Sequence, residues 1–133
     1  MTLIKVIPAN PSLECKFAAE SIFRIYSNWA ARHNHKVTIY WDNLSIEFKN
    51  KVNLNSEIGI HRFTQISKFD KKARRHTDFV RVEVDGICNH DNFVRNYIFS
   101  PYKKIKDYKT NIEVRGDDIE MVMNGQIDPF LVG

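Results

Sequence analysis

Cysteine, glycine and proline are all scarce in this sequence. It contains two cysteines, five glycines and four prolines. Cys15 and Cys88 are far apart and lack the spacing of metal ligands, so the sequence indicates neither a disulfide framework nor a zinc site. The glycines are too dispersed to form a glycine-rich phosphate-binding loop. We therefore expect two reduced thiols, no metal and no other cofactor.

Long hydrophobic runs are also missing. No run approaches the roughly 20 residues needed to cross a bilayer, and the apolar part of residues 1–11 is too short for a signal peptide. The hydrophobic content of 43% and the aromatic content of 12% are typical of a folded chain. A length of 133 residues suits one domain. We expect a single folded domain in the cytoplasm, with no membrane partner.

No set of side chains forms a catalytic pattern in the sequence. Ser67, His61 and His76 are close in sequence, but closeness in sequence does not make a catalytic triad, and the Gly-x-Ser-x-Gly turn of serine hydrolases is absent. His33 and His35 are two residues apart at the end of a predicted helix, a spacing that does not suit one metal-binding face. We therefore expect a protein without enzymatic activity.

Positive charge is concentrated in two places. The net charge is only +4, from 20 basic and 16 acidic residues. The basic residues cluster at Lys68, Lys71, Lys72, Arg74 and Arg75, and again at Lys103, Lys104, Lys106 and Lys109. Two such clusters favour RNA or another polyanion as the partner, because clustered cations displace counterions from a phosphate backbone. The alternative is that each cluster is an ordinary solvated surface.

The apolar pattern predicts a strand followed by the longest helix of the chain. An apolar run over residues 3–7 predicts the strand. Asn10 or Ser12 can cap the helix, and Pro11 is tolerated in a first turn. From residue 13 to about residue 32, apolar side chains recur every three or four positions, which gives the helix one apolar face.

Alternating patterns predict two pairs of strands. Residues 37–41 and 44–48 are predicted to form a hairpin around a two-residue Asp42-Asn43 turn. Residues 58–66 and 78–84 are predicted to form the second pair, and the basic stretch from Ser67 to Phe79 is predicted to contain the loop that joins them. Near the C-terminus, a short helix is predicted between the acidic pair Asp117-Asp118 and Gly125.

The basic loop combines charge with flat rings and hydroxyl groups. Ser67 and Thr77 carry hydroxyls, Phe69 and His76 carry rings, and the lysines and arginines can contact phosphate. Stacking combined with hydrogen bonds to base edges is how single-stranded RNA is recognised. The alternative is that Phe69 packs inward to anchor the loop and His76 is a core histidine with satisfied hydrogen bonds.

The loop and its flanks, GIHRFTQISKFDKKARRHTDF, closely resemble the codon-reading segment of bacterial class I peptide chain release factors, especially the UGA-reading type. That segment reads Gly-Val-His-Arg-Leu-Val-Arg-x-Ser-Pro-Phe-Asp-x-x-x-Arg-Arg-His-Thr-Ser-Phe. The stretches VRNYIFSPYKKIKDYKTN and MNGQIDPFL are similar to the family's C-terminal segments. The predicted long helix resembles a family helix, with matches at Glu14, Arg24, Tyr26, Trp29 and Ala30.

One part of the family's chain has no counterpart in this sequence. Between the matching blocks a release factor carries a separate domain, whose Gly-Gly-Gln motif hydrolyses peptidyl-tRNA, whereas here only Val80 to Val94 occupies that place. The Asn124-Gly125-Gln126 stretch has one glycine too few. The resemblance implies binding without peptide release, and one codon-recognition-like domain over residues 1–133. Its implied fold is α+β, a mixed or antiparallel sheet packed by the long N-terminal helix, with the basic loop projecting from one end.

The resemblance also assigns roles to individual residues. Ser67 and Phe69 match the first and third positions of the family's Ser-Pro-Phe tripeptide. His76 and Thr77 match residues that contact the later stop-codon bases, and Glu14 matches an acid near the first base. The candidate RNA- or codon-binding residues are Ser67, Lys68, Phe69, Arg74, Arg75, His76, Thr77 and Glu14.

Two departures from the family pattern bear on specificity. Lys68 replaces the loop proline, which adds flexibility and charge and favours less specific RNA binding. Pro11 and Ser12 stand where the family has glycines, whose lack of a side chain permits close backbone approach. Recognition of the first codon base is therefore the role most affected.

Two functions follow from this comparison. The first is a non-catalytic, release-factor-like protein that binds the ribosomal decoding centre or other RNA and competes with or modulates termination. The second is a repurposed adaptor that binds another partner, such as a nuclease, RNA polymerase or a transcript. The abundance of Lys, Asn and Ile suits a phage or other mobile element. Loss of a domain also uncovers surface, and apolar surface of that kind often binds another protein or a second copy.

Overall fold

One mixed sheet organises the chain, and the computed structural model describes it over residues 1–131. The strands are β1 Thr2–Pro8, β2 Val37–Tyr40, β3 Ser45–Phe48, β4 Gly59–Ile66, β5 Arg75–Val84, β6 Phe93–Ile98, β7 Lys104–Asp107 and β8 Glu113–Arg115. Their order is β2-β3-β1-β5-β4-β6-β7-β8. Every neighbouring pair is antiparallel except β4 and β6, which are parallel. The architecture is therefore mixed α/β in a single domain.

Helix α1, Leu13–Arg32, covers one face of this sheet. Its bounds agree with those predicted from the apolar spacing, but β1 precedes it, so the helix is not the N-terminal element. The hydroxyl of Ser12 caps it by accepting a hydrogen bond from the Cys15 amide at 3.1 Å. Pro11 therefore lies before the cap and not in the first turn. The buried helix positions Ala18, Ile22, Ile25, Tyr26 and Trp29 form the predicted apolar face.

The hairpin of β2 and β3 is wider than the sequence predicted. The connection runs over residues 41–44, so the predicted two-residue Asp42-Asn43 turn is wrong. Leu44 has a φ of 51°, the left-handed region that usually favours glycine. Alternation of apolar and polar residues over 44–48 predicts that Ser45 faces outward, but this residue is only 3% exposed. The prediction failed because Asp-Asn is a weaker signal for a two-residue turn than Asn-Gly is.

The second strand pair is longer than predicted, and its loop is shorter. Strand β5 begins at Arg75, so His76 and Thr77 lie in a strand and not in the loop, which comprises residues 67–74. The segment predicted as a connector, residues 80–94, is also partly regular. Its first five residues complete β5 and its last two begin β6, which leaves residues 85–92 between the strands.

The C-terminal third adds three strands that the sequence pattern did not reveal. Strands β6, β7 and β8 extend the sheet beyond β4. A short helix, α2 Ile119–Met123, follows Asp118 as predicted. Gly125 lies just after it with a φ of 96°, and a side chain there would collide with the α1 backbone at Asn28 and Trp29. Glycine is therefore required for close packing of α2 against α1.

A buried ion network joins α1 and the segment before β4 to strands β6 and β7. The fully buried Arg95 guanidinium binds both oxygens of Glu57, at 2.8 and 2.7 Å, and one oxygen of Asp107 at 3.1 Å. It also donates to the Tyr97 hydroxyl at 2.9 Å. The Tyr26 hydroxyl of α1 donates to Glu57 at 2.8 Å. Helix and sheet therefore meet at one shared carboxylate.

The network keeps its charges in place despite burial. Burial alone would raise the pKa of Glu57, but the adjacent Arg95 charge outweighs it and lowers that pKa to about 2. Burial lowers the pKa of His61, which lies beside Tyr97, to about 4. At neutral pH the arginine and carboxylate are thus both ionised, and the histidine is neutral.

Replacing the arginine leaves the buried carboxylate of Glu57 without its cation, whereas Asp107 keeps its contact with Lys109. We expect Arg95→Met to lower the free energy of unfolding by about 3–5 kcal/mol, the usual effect of breaking a buried ion pair from one side. Urea denaturation followed by circular dichroism measures this change. Arg62→Met, on the adjacent strand but exposed, is the matched control and should change stability little. A loss below about 1 kcal/mol for Arg95→Met would contradict the assigned role.

Candidate nucleic-acid interface

The loop between β4 and β5 has a defined internal structure. The Ser67 amide donates to the Arg74 carbonyl at 3.2 Å, which closes the loop at its base. The Ala73 amide donates to the Asp70 carbonyl at 2.9 Å, and Ala73 has a φ of 49°. These bonds form a turn at the loop tip without any proline.

Asp70 is the acceptor around which the loop is arranged. Its carboxylate accepts from the Arg74 guanidinium at 2.7 Å, from the Lys72 amide at 2.9 Å and from the His76 ring at 3.2 Å. These hydrogen bonds, that of Arg74 first, hold the pKa of Asp70 well below its usual range. The loop thus retains a charged centre down to acidic pH.

The start of α1 meets the start of the loop. The Ser67 hydroxyl donates to Glu14 at 3.1 Å and accepts from the Phe69 amide at 3.0 Å. Ser67 is only 4% exposed. The structure therefore brings together the helix acid and the serine, which lie 53 positions apart in sequence.

The ring of Phe69 is available to a ligand. Phe69 is 49% exposed, so the alternative in which it packs inward is wrong. The His76 side chain is 34% exposed and held by Asp70, so it is not a core histidine. Thr77 lies opposite Thr64 on β4, and their hydroxyl oxygens are 3.2 Å apart. These groups border the same end of the sheet, but His76 faces the α1 side with Ser67, whereas Thr77, the next residue of β5, faces the opposite side with Thr64.

The candidate cations differ in what they contact. The Lys68 ammonium lies 4.6 Å from the centre of the Phe17 ring on α1, a cation–π distance. Arg74 is bound to Asp70. Arg75 lies on the opposite face of the sheet from α1 and has no carboxylate partner within residues 1–131. Of these three, Arg75 is therefore the residue best placed for an incoming phosphate.

Sequence reasoning missed two residues at this site. Asp78 is 7% exposed, and its Oδ2 atom has no hydrogen-bond partner among the described residues. Burial raises the pKa of Asp78, and the nearby Glu14 charge adds to the rise. The other missed residue is Thr64, the partner of Thr77. A signal for Asp78 existed, because the release-factor pattern has serine at that position.

Other site types find no support in the described part of the chain. Residues 1–131 contain no group of three or more His, Cys, Asp or Glu side chains that could hold a metal ion. No helix within that range is long and apolar enough to cross a membrane.

Comparison with known proteins matches both parts of this site. The family model described as the PCRF domain matches residues 3–82, which run from β1 almost to the end of β5. The RF2 of Thermus thermophilus has a TM-score of 0.77 with this chain, at 16% identity. That match covers 98% of this chain and 66% of the other. At such low identity it shows the fold alone.

Curated relatives named peptide chain release factor 2 match at higher identity. The protein of Nitratiruptor is 34% identical over 67% of this chain and 27% of its own length. Those of Chlamydia muridarum and Lactiplantibacillus plantarum are 37% and 34% identical, over 49% and 62% of this chain. Matched regions span only about a quarter of these relatives. Because the PCRF domain model matches more than half of the residues of this chain, the chain belongs to the PCRF domain family.

Proposed function

We propose that this protein is a non-catalytic, release-factor-like protein that binds the ribosomal decoding centre and competes with full release factor during termination. It reads or partly reads the codon in the decoding site with the β4–β5 loop and the tip of α1. The RNA- and codon-binding set is the one predicted from the sequence: Glu14, Ser67, Lys68, Phe69, Arg74, Arg75, His76 and Thr77.

One observation carries the proposal. Glu14, on α1, and Ser67, in the loop, are hydrogen-bonded at 3.1 Å, beside the exposed ring of Phe69. The strand residues His76 and Thr77 flank the same end of the sheet. A preformed set of rings and hydroxyls suits stacking on bases and hydrogen bonding to their edges. Its match to the family's codon-reading positions supports a codon as the ligand.

The non-catalytic part of the proposal rests on the segment between β5 and β6. Only residues 85–92 connect these strands, at the place where a release factor has its Gly-Gly-Gln domain. The Gly-Gln pair at Gly125 cannot substitute, because Gly125 is pressed against the α1 backbone. Binding without hydrolysis would make the protein a competitor of the full factor.

The UGA preference is a finer part of the same proposal. It is supported by the Ser67, Phe69, His76 and Thr77 matches to the UGA-reading type. Ser12 caps α1 where the family has glycine, so contact with the first base differs from that of a release factor.

Co-sedimentation with bacterial ribosomes tests the proposal. The ribosomes carry UGA, UAA or a sense codon in the decoding site, and full release factor serves as competitor. We expect the protein to bind, the full factor to displace it, and UGA to give the tightest binding. Binding that is indifferent to the competitor, or no binding at any codon, would refute a decoding-centre ligand.

Truncating the four matched side chains should remove binding while leaving the fold intact. We expect Ser67→Ala/Phe69→Ala/His76→Ala/Thr77→Ala to bind programmed ribosomes at least about tenfold more weakly, because each base stacked on an aromatic ring contributes roughly 1–3 kcal/mol. Thr38→Ala/Tyr40→Ala, on the edge strand β2, is the control and should bind as the wild type does. Equal binding by all three proteins would count against codon-type recognition. Circular dichroism checks folding.

Restoring the family's proline should sharpen codon discrimination. Proline fixes φ near −65° and removes the Lys68 charge, so Lys68→Pro should bind more weakly overall but with a larger ratio of UGA to sense-codon affinity. Lys68→Ala removes the charge without restricting the backbone, and should lower both affinities by the same factor. Equilibrium binding to the two kinds of programmed ribosome gives both ratios. An unchanged ratio in Lys68→Pro would show that loop flexibility does not limit specificity.

The adaptor function remains the second candidate, and one observation favours it. Lys68 and Arg74, two of the candidate cations, are engaged within the protein by Phe17 and Asp70. Such contacts suit a loop retained for stability and not for RNA. The adaptor function would be favoured if the variant with alanine at Ser67, Phe69, His76 and Thr77 kept its full function without binding ribosomes.

A further inference from the structure

The sheet face opposite α1 is open at its centre. Side chains that point away from α1 remain exposed there, with Phe79 at 40% and Ile66 at 42%. Arg62 and Arg75 on the same face are also exposed. The codon-reading proposal uses only the corner of this face at Thr77.

Strand register places Thr77 at the head of a row that crosses this face. Thr77 lies opposite Thr64, Thr64 opposite Ile98, Ile98 opposite Lys104, and Lys104 opposite Arg115. With neighbouring strands about 4.8 Å apart, the four steps span about 19 Å. A ligand held at Thr77 thus has a continuous path to two cations at the far edge.

A shallow cavity of about 200 Å³ lies along this row. Arg62, Arg75, Asn96 and Tyr102 contribute to its lining. The Oδ1 atom of Asn96 is buried without a hydrogen-bond partner among the described residues. The cavity is smaller than one for a drug-sized ligand, and an unpaired buried amide oxygen favours a ligand that brings a donor. One nucleobase meets both conditions.

Positive charge exceeds negative charge at the far end of the row. Glu113 is the shared partner of Arg115 at 2.7 Å, Lys104 at 3.2 Å and Lys106 at 3.9 Å. Lys103 pairs with Asp117 at 3.2 Å, and Asp118 is next to it, so this edge has four cations and three carboxylates, and its remaining positive charge attracts phosphate. Lys109, which the sequence grouped with these lysines, contacts the buried Asp107 at 3.3 Å instead.

We propose that the open face is a track for single-stranded RNA, with one base in the cavity at Asn96 and Tyr102 and phosphates at Lys104 and Arg115. The strand is the continuation of the RNA bound at Thr77, so its placement rests on the proposed function. Its exposed aromatic and basic side chains are those that bind single strands with little sequence preference. The bound strand could come from messenger RNA beside the codon or from an adjoining ribosomal RNA strand, because both present the same bases and phosphates.

Free RNA tests the track without the ribosome. Fluorescence anisotropy measures binding of a labelled oligouridylate of about 12 nucleotides over a range of salt concentrations. We expect Lys104→Ala/Arg115→Ala to bind more weakly, with a salt slope smaller by about 1.4, because each lost phosphate contact removes about 0.7 from the slope for single strands. Glu113→Gln should bind more tightly than the wild type. Matching melting temperatures would exclude misfolding.

A charge-matched control separates the track from net charge. Lys36→Ala/Lys51→Ala removes two exposed lysines near the opposite edge of the sheet. This variant should keep the wild-type slope to within about 0.3, less than half of one phosphate contact. An equal loss of slope in both double variants would overturn the track, since net charge alone would then explain binding.

Binding of a base in the cavity can be tested separately from binding of phosphate. Asn96→Ala should change the ratio of affinities for oligouridylate, oligoadenylate and oligocytidylate while leaving the salt slope unchanged, because Asn96 contacts no phosphate in this arrangement. An unchanged ratio would contradict the seating of a base at Asn96.

Ribosome binding then separates this inference from the proposed function and identifies the strand. Messenger RNA that ends at the codon is compared with messenger RNA that extends beyond it. If the protein binds ribosomes more weakly when the messenger RNA ends at the codon, messenger RNA occupies the track. If it binds both kinds of ribosome equally, but Lys104→Ala/Arg115→Ala weakens ribosome binding, a ribosomal RNA strand occupies the track. If that variant binds free RNA and ribosomes normally, the track fails while codon binding stands. If the wild-type protein binds free RNA but does not bind ribosomes, the proposed function fails while the free-RNA result stands.

Discussion

The bond between Arg95 and Glu57 is the interaction on which the rest of this structure depends. Glu57 precedes β4, Arg95 lies on β6, and Tyr26 reaches the same carboxylate from α1. Since each buried charge is tolerable only with its partner present, α1, the segment before β4 and strands β6 and β7 must pack together. The Phe130 ring lies 4.3 Å from the guanidinium carbon, which attaches the C-terminal segment to the same point. The loop is supported by this core, because Lys68 packs on Phe17 and Phe17 packs against the core residue Phe63.

The candidate interface has a second, separate polar centre at Asp70. That carboxylate holds Arg74, His76 and a loop amide, so the loop has a defined shape although the family's proline is absent. The core network is fully buried, whereas the partners of Asp70 in the loop reach solvent, with Arg74 68% and His76 34% exposed. A stable body that carries a basic loop partly open to solvent is compatible with the proposed binding of RNA, whether the loop contacts bases or only phosphates.

The sequence predicted the parts of this fold that depend on local pattern. Apolar spacing gave the bounds of α1, and alternation located β4 within one residue. It failed where distant residues decide the outcome. Strands β6 to β8 are short and pair at the edge of the sheet, and Arg95 carries a buried charge that no hydropathy pattern anticipates. For the site, the motif supplied eight candidates, but only the fold shows that Glu14 meets Ser67, that Lys68 packs on Phe17, and that Asp78 is buried below them.

The parallel pairing of β4 with β6 has a consequence for how such a chain gains or loses a module. Both strands start at the same end of the sheet, so residues 85–92 lie at the end opposite the loop. The ten residues of β5 separate the two ends by about 33 Å. Asn92 is fixed to β4 through the Ile60 amide at 2.7 Å, whereas Gly86 has open space around it. The turn at Gly86 is thus a site where a further domain can be inserted. Such a domain would extend from the end of the sheet opposite the loop and would not disturb the loop.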